Sequence, residues 1–189
     1  PVNTVRDLVA LAKAKPGVIN VASAGNGTIT HLSGELFRGL ADVAWTHVPY
    51  KGAPPALTDL ASGQVQVMFS SLPAAMAFIR INRVKPIAVS TRARAAALPE
   101  VPTVMETGVP NYDVEYWYGV FVPAATPRDV VTRLAEETAQ TVKLADVVSN
   151  LANQGAAPGA LTQTQFAEFV RTEAAKWGKV VKASGARAD

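Results

Sequence analysis

The 189-residue chain contains no cysteine, which excludes a disulfide framework, cysteine-ligated zinc and a thiol nucleophile, and leaves oxidising and reducing compartments equally open. Its two histidines, His31 and His47, form no H-x-x-x-H pair, so no metal site is expected. Charge is sparse: Asp, Glu, Lys and Arg supply 17% of the residues, against roughly a quarter in soluble domains. The formal net charge is +3, yet the Lys and Arg residues are scattered and do not line a stripe with interleaved aromatics, which argues against nucleic acid as a partner. No G-x-S-x-G elbow and no G-x-x-x-x-G-K-[ST] run occurs, and nothing in the motifs forces an enzyme or a nucleotide cofactor. The chain opens Pro1-Val2-Asn3-Thr4 with no basic stretch leading into an apolar run, so neither a signal peptide nor a transmembrane span is expected. No internal repeat at a fixed period is present.

What is there reads as an ordinary folded protein. Apolar residues make up 49% of the chain, and its length suffices for one large domain or two small ones. Thr4 and Asp7 have capping-box spacing, and Val5, Leu8, Val9 and Ala12 share a helix face until Lys15-Pro16-Gly17. Ile19, Val21 and Ser23 alternate as in a strand; Leu32, Leu36, Phe37 and Leu40 repeat at helical spacing. Further strands are expected over 43–48, 64–69 and 84–89, the last irregular at Pro86, with helices over 56–61 and 72–81. Thr126 as N-cap with Pro127 at the first helical position predicts a long helix burying Val130, Val131, Leu134, Thr138 and Val142. A shorter helix follows over 146–153. Thr162 and Gln165 start a final helix with Phe166, Phe169, Val170, Ala174, Trp177, Val180 and Val181 on one face and Lys176, Lys179 and Lys182 as a solvated one. Strands alternating with helices predict an α/β fold with a mostly parallel sheet covered on both faces.

The sharpest functional signal is Ser23-Ala24-Gly25-Asn26-Gly27-Thr28, a glycine-rich turn between a strand and a helix. The first turn of a helix has backbone N–H groups without intrahelical partners and carries the positive end of the macrodipole, so a carboxylate or phosphate can be held there. Gly25 and Gly27 permit left-handed backbone, while Ser23, Asn26, Thr28 and Thr30 add short polar groups. The same residue types also build strand-to-helix turns that bind nothing, and the turn alone leaves both readings open. His31 lies near the helix start, where capping is its ordinary role, and His47 at a strand end suits a structural hydrogen bond. Tyr50 and Lys51 follow the second strand, Ser70 and Ser71 the third, at the carboxyl edge where α/β sheets gather ligands. Lys51 reads equally as a solvated cation. Trp117, before Tyr118 and Gly119, walls a cleft or joins a core.

Several unlinked motifs then occur in one order: 23–28, His31-Leu32-Ser33-Gly34-Glu35-Leu36-Phe37, Val48-Pro49-Tyr50-Lys51-Gly52, Pro55-Ala56-Leu57-Thr58-Asp59-Leu60, Leu98-Pro99-Glu100-Val101-Pro102-Thr103 and Trp117-Tyr118-Gly119. Over nearly its whole length the chain closely resembles the Bug, or TctC, family of periplasmic solute-binding receptors of tripartite tricarboxylate transporters. The resemblance implies a periplasmic-binding-protein-like (type II) fold, a two-domain Venus flytrap that closes on a small carboxylate and passes it to membrane permease subunits, with no catalysis and no cofactor. Residues 1–111 would form the second domain, and 112–189 the crossing segment and the C-terminal part of the first, incomplete because the family's N-terminal segment is missing. Ligand contacts would come from Ser23, Ala24, Gly25, Asn26, Gly27, Thr28, His31, Tyr50, Lys51, Ser70 and Trp117. At Ser70 many relatives carry Asp or Asn, so the identity of the acid does not transfer. An enzyme acting on a carboxylate, and a ligand-sensing module that signals to a membrane partner without transport, are the alternatives.

Overall fold

The computed structural model describes residues 2–159 and 161–187; Pro1, which opens the chain, lies outside the described residues. Helix α1 (Val5–Ala14) begins at a capping box. Thr4 Oγ1 accepts the Asp7 N–H at 3.1 Å, and the Asp7 carboxylate accepts the Asn3 and Thr4 N–H groups at 2.9 and 3.0 Å. Those backbone donors hold the Asp7 carboxyl below its usual range. Thr4→Ala is expected to cost about 1 kcal/mol, read as a lower urea midpoint at unchanged slope.

Strand β1 (Asn20–Ser23) runs into α2 (Ile29–Ala41), then β2 (Thr46–Pro49), α3 (Ala53–Ser62), β3 (Val67–Met68) and α4 (Leu72–Arg80). The sheet is parallel with order β2-β1-β3, Asn20 facing Thr46 and Val21 facing both His47 and Val67. Both faces of the central strand are covered, as parallel sheets require. Val21 enters a core with Val5, Leu8, Ala12, Phe37, Tyr112 and Val114, whereas Ala22 packs with Ala56 and Val65.

Several elements differ from the sequence reading. Helix α3 starts three residues earlier than expected, with Pro54 and Pro55 in its first turn, where a missing N–H costs nothing. The expected strand over 64–69 shrinks to two residues. The Gln64 N–H is drawn back to Asp59 O at 2.9 Å, and the Gln66 side chain receives the Asn20 N–H at 3.0 Å. The expected strand over 84–89 is reduced to a single parallel bridge, Val89 with Thr103.

After the extended 112–122 segment come α5 (Arg128–Thr141), α6 (Ala145–Asn153) and α7 (Gln163–Ser184). Pro127, not Thr126, is the N-cap of α5: the first intrahelical bond runs from the Val131 N–H to Pro127 O at 3.1 Å. The expected buried stripe is not buried: α5 has no buried residue, and Val130 and Leu134 are 43% and 44% exposed. Its spacing makes an amphipathic helix, but most of the apolar side stays exposed, Val131 being half-buried where the Gln163 side chain bonds to its carbonyl. Helix α7 keeps its capping box and ends at Gly185 as read. Of its expected apolar face Trp177 reaches the main core, while Val181 stays 37% exposed. Lys176, read as solvated, pairs with buried Glu173 at 3.2 Å, and Glu173 also accepts the Trp177 indole N–H at 2.9 Å. Among the described residues no helix is long and apolar enough to cross a membrane, and no group of three or more His, Asp or Glu side chains gathers.

Candidate functional site

The carboxyl ends of β1 and β2 continue as two turns tied to each other. The Tyr50 N–H donates to Ser23 O and the Gly52 N–H to Ala24 O, both at 3.0 Å, so the 23–28 turn and the 50–52 turn form one unit. Gly25 and Gly27 take φ of 136° and 71°, conformations that only glycine adopts readily.

Within the 23–28 turn most donors are already engaged. The Ala24 N–H donates to Thr30 Oγ1 at 2.8 Å, the Gly25 N–H to Ser23 Oγ at 3.2 Å, and the Gly27 N–H to His31 Nδ1 at 3.2 Å. Thr28 Oγ1 gives its proton to Gly25 O at 2.7 Å. A hydroxyl has one proton, so Thr30 is the donor in the 2.8 Å contact between the two threonines. The expectation that an anion is gripped along the whole turn therefore narrows. No described bond occupies the first-turn amides of Ile29, Thr30 and His31, and the Thr28 hydroxyl, engaged by Gly25 and Thr30, makes no capping bond to them. First-turn amides of this kind, together with the helix dipole, can hold an anion, and the internally bonded turn fixes the shape of their surroundings.

Beneath the turn lie both histidines. Their rings stack with centroids 3.8 Å apart at 3°. His47 Nε2 contacts Ser23 Oγ at 2.6 Å, and Ser23 Oγ also lies 3.2 Å from Gly25 O. Which of Ser23 and His47 donates in the 2.6 Å contact depends on the His47 tautomer. Burial pushes both imidazoles below the ordinary histidine range, and His31 lowers His47 further. His31 Nε2 is 3.9 Å from Glu35 Oε1, and Glu35 in turn pairs with Arg38.

Of the other residues singled out in the sequence, Asn26 stands partly buried in the turn, and Lys51 is exposed with no ion pair among the described residues. The Tyr50 hydroxyl donates to Asp59 at 2.8 Å, which raises its pKa, and its ring packs against the Ala22, Ala56 and Val65 cluster. Ser70 follows β3 across β1 from the paired turns, with its hydroxyl on Ser71 O at 3.3 Å. Trp117 packs edge-on against Phe166 and Phe169 at 5.7 and 5.4 Å, and no contact among the described residues joins it to the turn. Missed in the sequence was a second support behind α2: Tyr112 OH donates to Ser33 O at 3.3 Å, and Ser33 Oγ lies 3.2 Å from Tyr116 OH. Burial raises Tyr116 to about 12. The aromatic residues of 112–122 were the only signal for it.

The parallel α/β lobe, with a glycine turn feeding a helix at the carboxyl edge of its central strand, has the fold of solved periplasmic binding proteins. Solved structures of that class superpose on it. A structure from Rhodopseudomonas palustris described as Rpa4515 with adipate matches with a TM-score of 0.92 and 35% identity over 98% of this chain and 62% of its own. MatC (Rpa3494) from the same organism, with bound malate, matches with a TM-score of 0.87 and 30% identity over 96% of this chain and 63% of its own. The family model for the tripartite tricarboxylate transporter family receptor, TctC, matches residues 1–186. The chain belongs to that family. A curated relative, the UPF0065 protein in the tcbD-tcbE intergenic region of a Pseudomonas species, is 38% identical over 180 residues, 93% of this chain but 54% of the relative. The chain thus spans about half the length of the curated relative.

Proposed function

We propose that this chain supplies the carboxylate-binding lobe of an extracytoplasmic solute receptor, which holds a small organic acid without chemistry and delivers it to the permease subunits of a tripartite tricarboxylate transporter. One observation carries the reading: the first turn of α2 presents the Ile29, Thr30 and His31 amides without partners among the described residues, at the carboxyl edge of the sheet, where a carboxylate gains both hydrogen bonds and the dipole. It is supported by the adipate and malate in the two structural neighbours and by the family's description as a receptor. In this reading residues 1–111 form one ligand-binding domain and 112–189 cross to a second, and closure is driven by the tighter binding of the closed state. Ser23, Ala24, Gly25, Asn26, Gly27, Thr28 and His31 shape the anion end. Tyr50, Lys51, Ser70 and Trp117 belong to the wider cleft. The location is periplasmic.

The test is calorimetric titration of adipate, malate and citrate into this chain, and in parallel into the chain joined to the N-terminal segment of the adipate-bound relative. Saturable heat with one acid supports the reading, and loss of that heat in the shorter form would assign enclosure to both domains. No heat with any carboxylate in either form would overturn it.

A further inference from the structure

We propose that His31 and His47 are positioning residues for the anion site: the neutral, stacked pair holds the 23–28 turn in its binding shape, and protonation of His31 at Nδ1 releases Gly27 and opens the turn. The consequence for ligand affinity rests on the carboxylate reading above; the consequence for the turn does not.

The argument begins with proton placement. His31 Nδ1 accepts the Gly27 N–H at 3.2 Å, so the neutral ring keeps its own proton on Nε2. A second proton has only Nδ1 to occupy. There it would meet the Gly27 N–H donor to donor, turning a hydrogen bond into a repulsion.

Gly27 is the pivot on which such a change acts. It sits at φ 71° immediately before the Thr28 cap of α2, and a glycine can leave that conformation for many others once its amide is freed. Release at Gly27 therefore alters the entry to the first turn, where the Ile29, Thr30 and His31 amides point.

His47 makes the arrangement mutual. Its ring lies 3.8 Å from His31 and nearly parallel, so the two cannot both become cations without strong repulsion. It also holds the opposite end of the turn through Ser23 Oγ at 2.6 Å. The charged groups bearing on the pair among the described residues are Glu35, which favours the cation, and Arg38, which opposes it while tied to Glu35. Burial also opposes the cation in both rings. With the folded value of each histidine depressed, the neutral pair is complete above the unfolded histidine value near ~6.5 and is lost as pH falls through the lower folded value.

The experiment is a pH series of amide and imidazole nitrogen NMR spectra on the ligand-free chain, from about pH 7.5 to about pH 5. His31 Nδ1 is expected unprotonated at the start, with the Gly27 amide resonance moving at the same midpoint as His31. In His31→Asn, whose side-chain oxygen can accept the Gly27 N–H but does not titrate, that movement should vanish. A Gly27 amide indifferent to the His31 titration, or one that still moves in His31→Asn, would overturn the proposal. Adipate titrations give a second arm. Between the two pH limits the natural chain should lose about fivefold more affinity than His31→Asn, the worth of one neutral hydrogen bond. The ligand's own ionisation is common to both proteins and cancels. Equal losses would overturn the proposal. If adipate gives no heat at any pH the receptor reading fails, and the Gly27 resonance still decides the role of the histidines.

Discussion

Gly25→Ala is expected to lower carboxylate affinity roughly ten- to a hundredfold while leaving the fold intact. Gly25 stands at φ 136°, and an added Cβ would approach Tyr50 O to 3.3 Å. That oxygen is backbone and belongs to the turn whose Tyr50 and Gly52 amides bond to Ser23 and Ala24, so it cannot swing aside as a side chain would. An alanine there carries about 1–3 kcal/mol of strain. The free turn escapes by adopting another shape, and the ligand must restore the strained one on binding. The cost therefore falls on affinity more than on folding. Calorimetric titration of adipate into the variant, beside a urea melt, reads both. Undiminished binding would remove the turn's shape from the recognition of the acid.

Phe37→Ala should produce the largest loss of stability, about 3–5 kcal/mol, against a total of about 5–15 kcal/mol for a domain. Phe37 is 1% exposed and touches Trp45, Phe69 and Tyr112, with ring centroids 5.5, 5.5 and 5.6 Å away. Truncation opens a cavity among three rings anchored on different elements, and none can fill it without abandoning other contacts. Trp45 stacks on Phe37 at 23°, so its fluorescence reports the unfolding midpoint directly. An unchanged midpoint would show that the aromatic cluster relaxes around the gap.

Features set by neighbours in sequence were legible before the structure. The Thr4–Asp7 and Thr162–Gln165 boxes span three residues each and sit where the spacing places them. The glycine turn and the alternation of strands and helices were legible for the same reason. Features that need a distant partner were not. The spacing of Val130 and Leu134 is genuinely helical, but amphipathicity says which side is apolar and not what covers it. Pro86 weakened the 84–89 strand in the reading, and pairing survives only at Val89, beyond the residue lacking an N–H. At the site, the residue types suggested hydroxyls and amides free for a ligand, whereas Thr28 and Thr30 spend their protons inside the turn and Ser23 is engaged by Gly25 and His47. The stacking of His31 on His47 depends on the register of β1 against β2, which one sequence does not print.

That register has a consequence for the order in which the molecule assembles. Asn20 meets Thr46, whereas Val21 must also reach Val67, nearly twice as far along the chain. Closing a loop costs more as it lengthens, by about 0.6 kcal/mol per doubling, and β3 offers only two residues of ladder in return. The β1–β2 closure is the cheaper and the better rewarded, and it is expected to precede β3 docking on a folding path. The same closure aligns Ser23 with Tyr50, Ala24 with Gly52 and His47 with His31, so the glycine turn and its support are expected among the first long-range structures the chain acquires, ahead of the completed sheet that carries them.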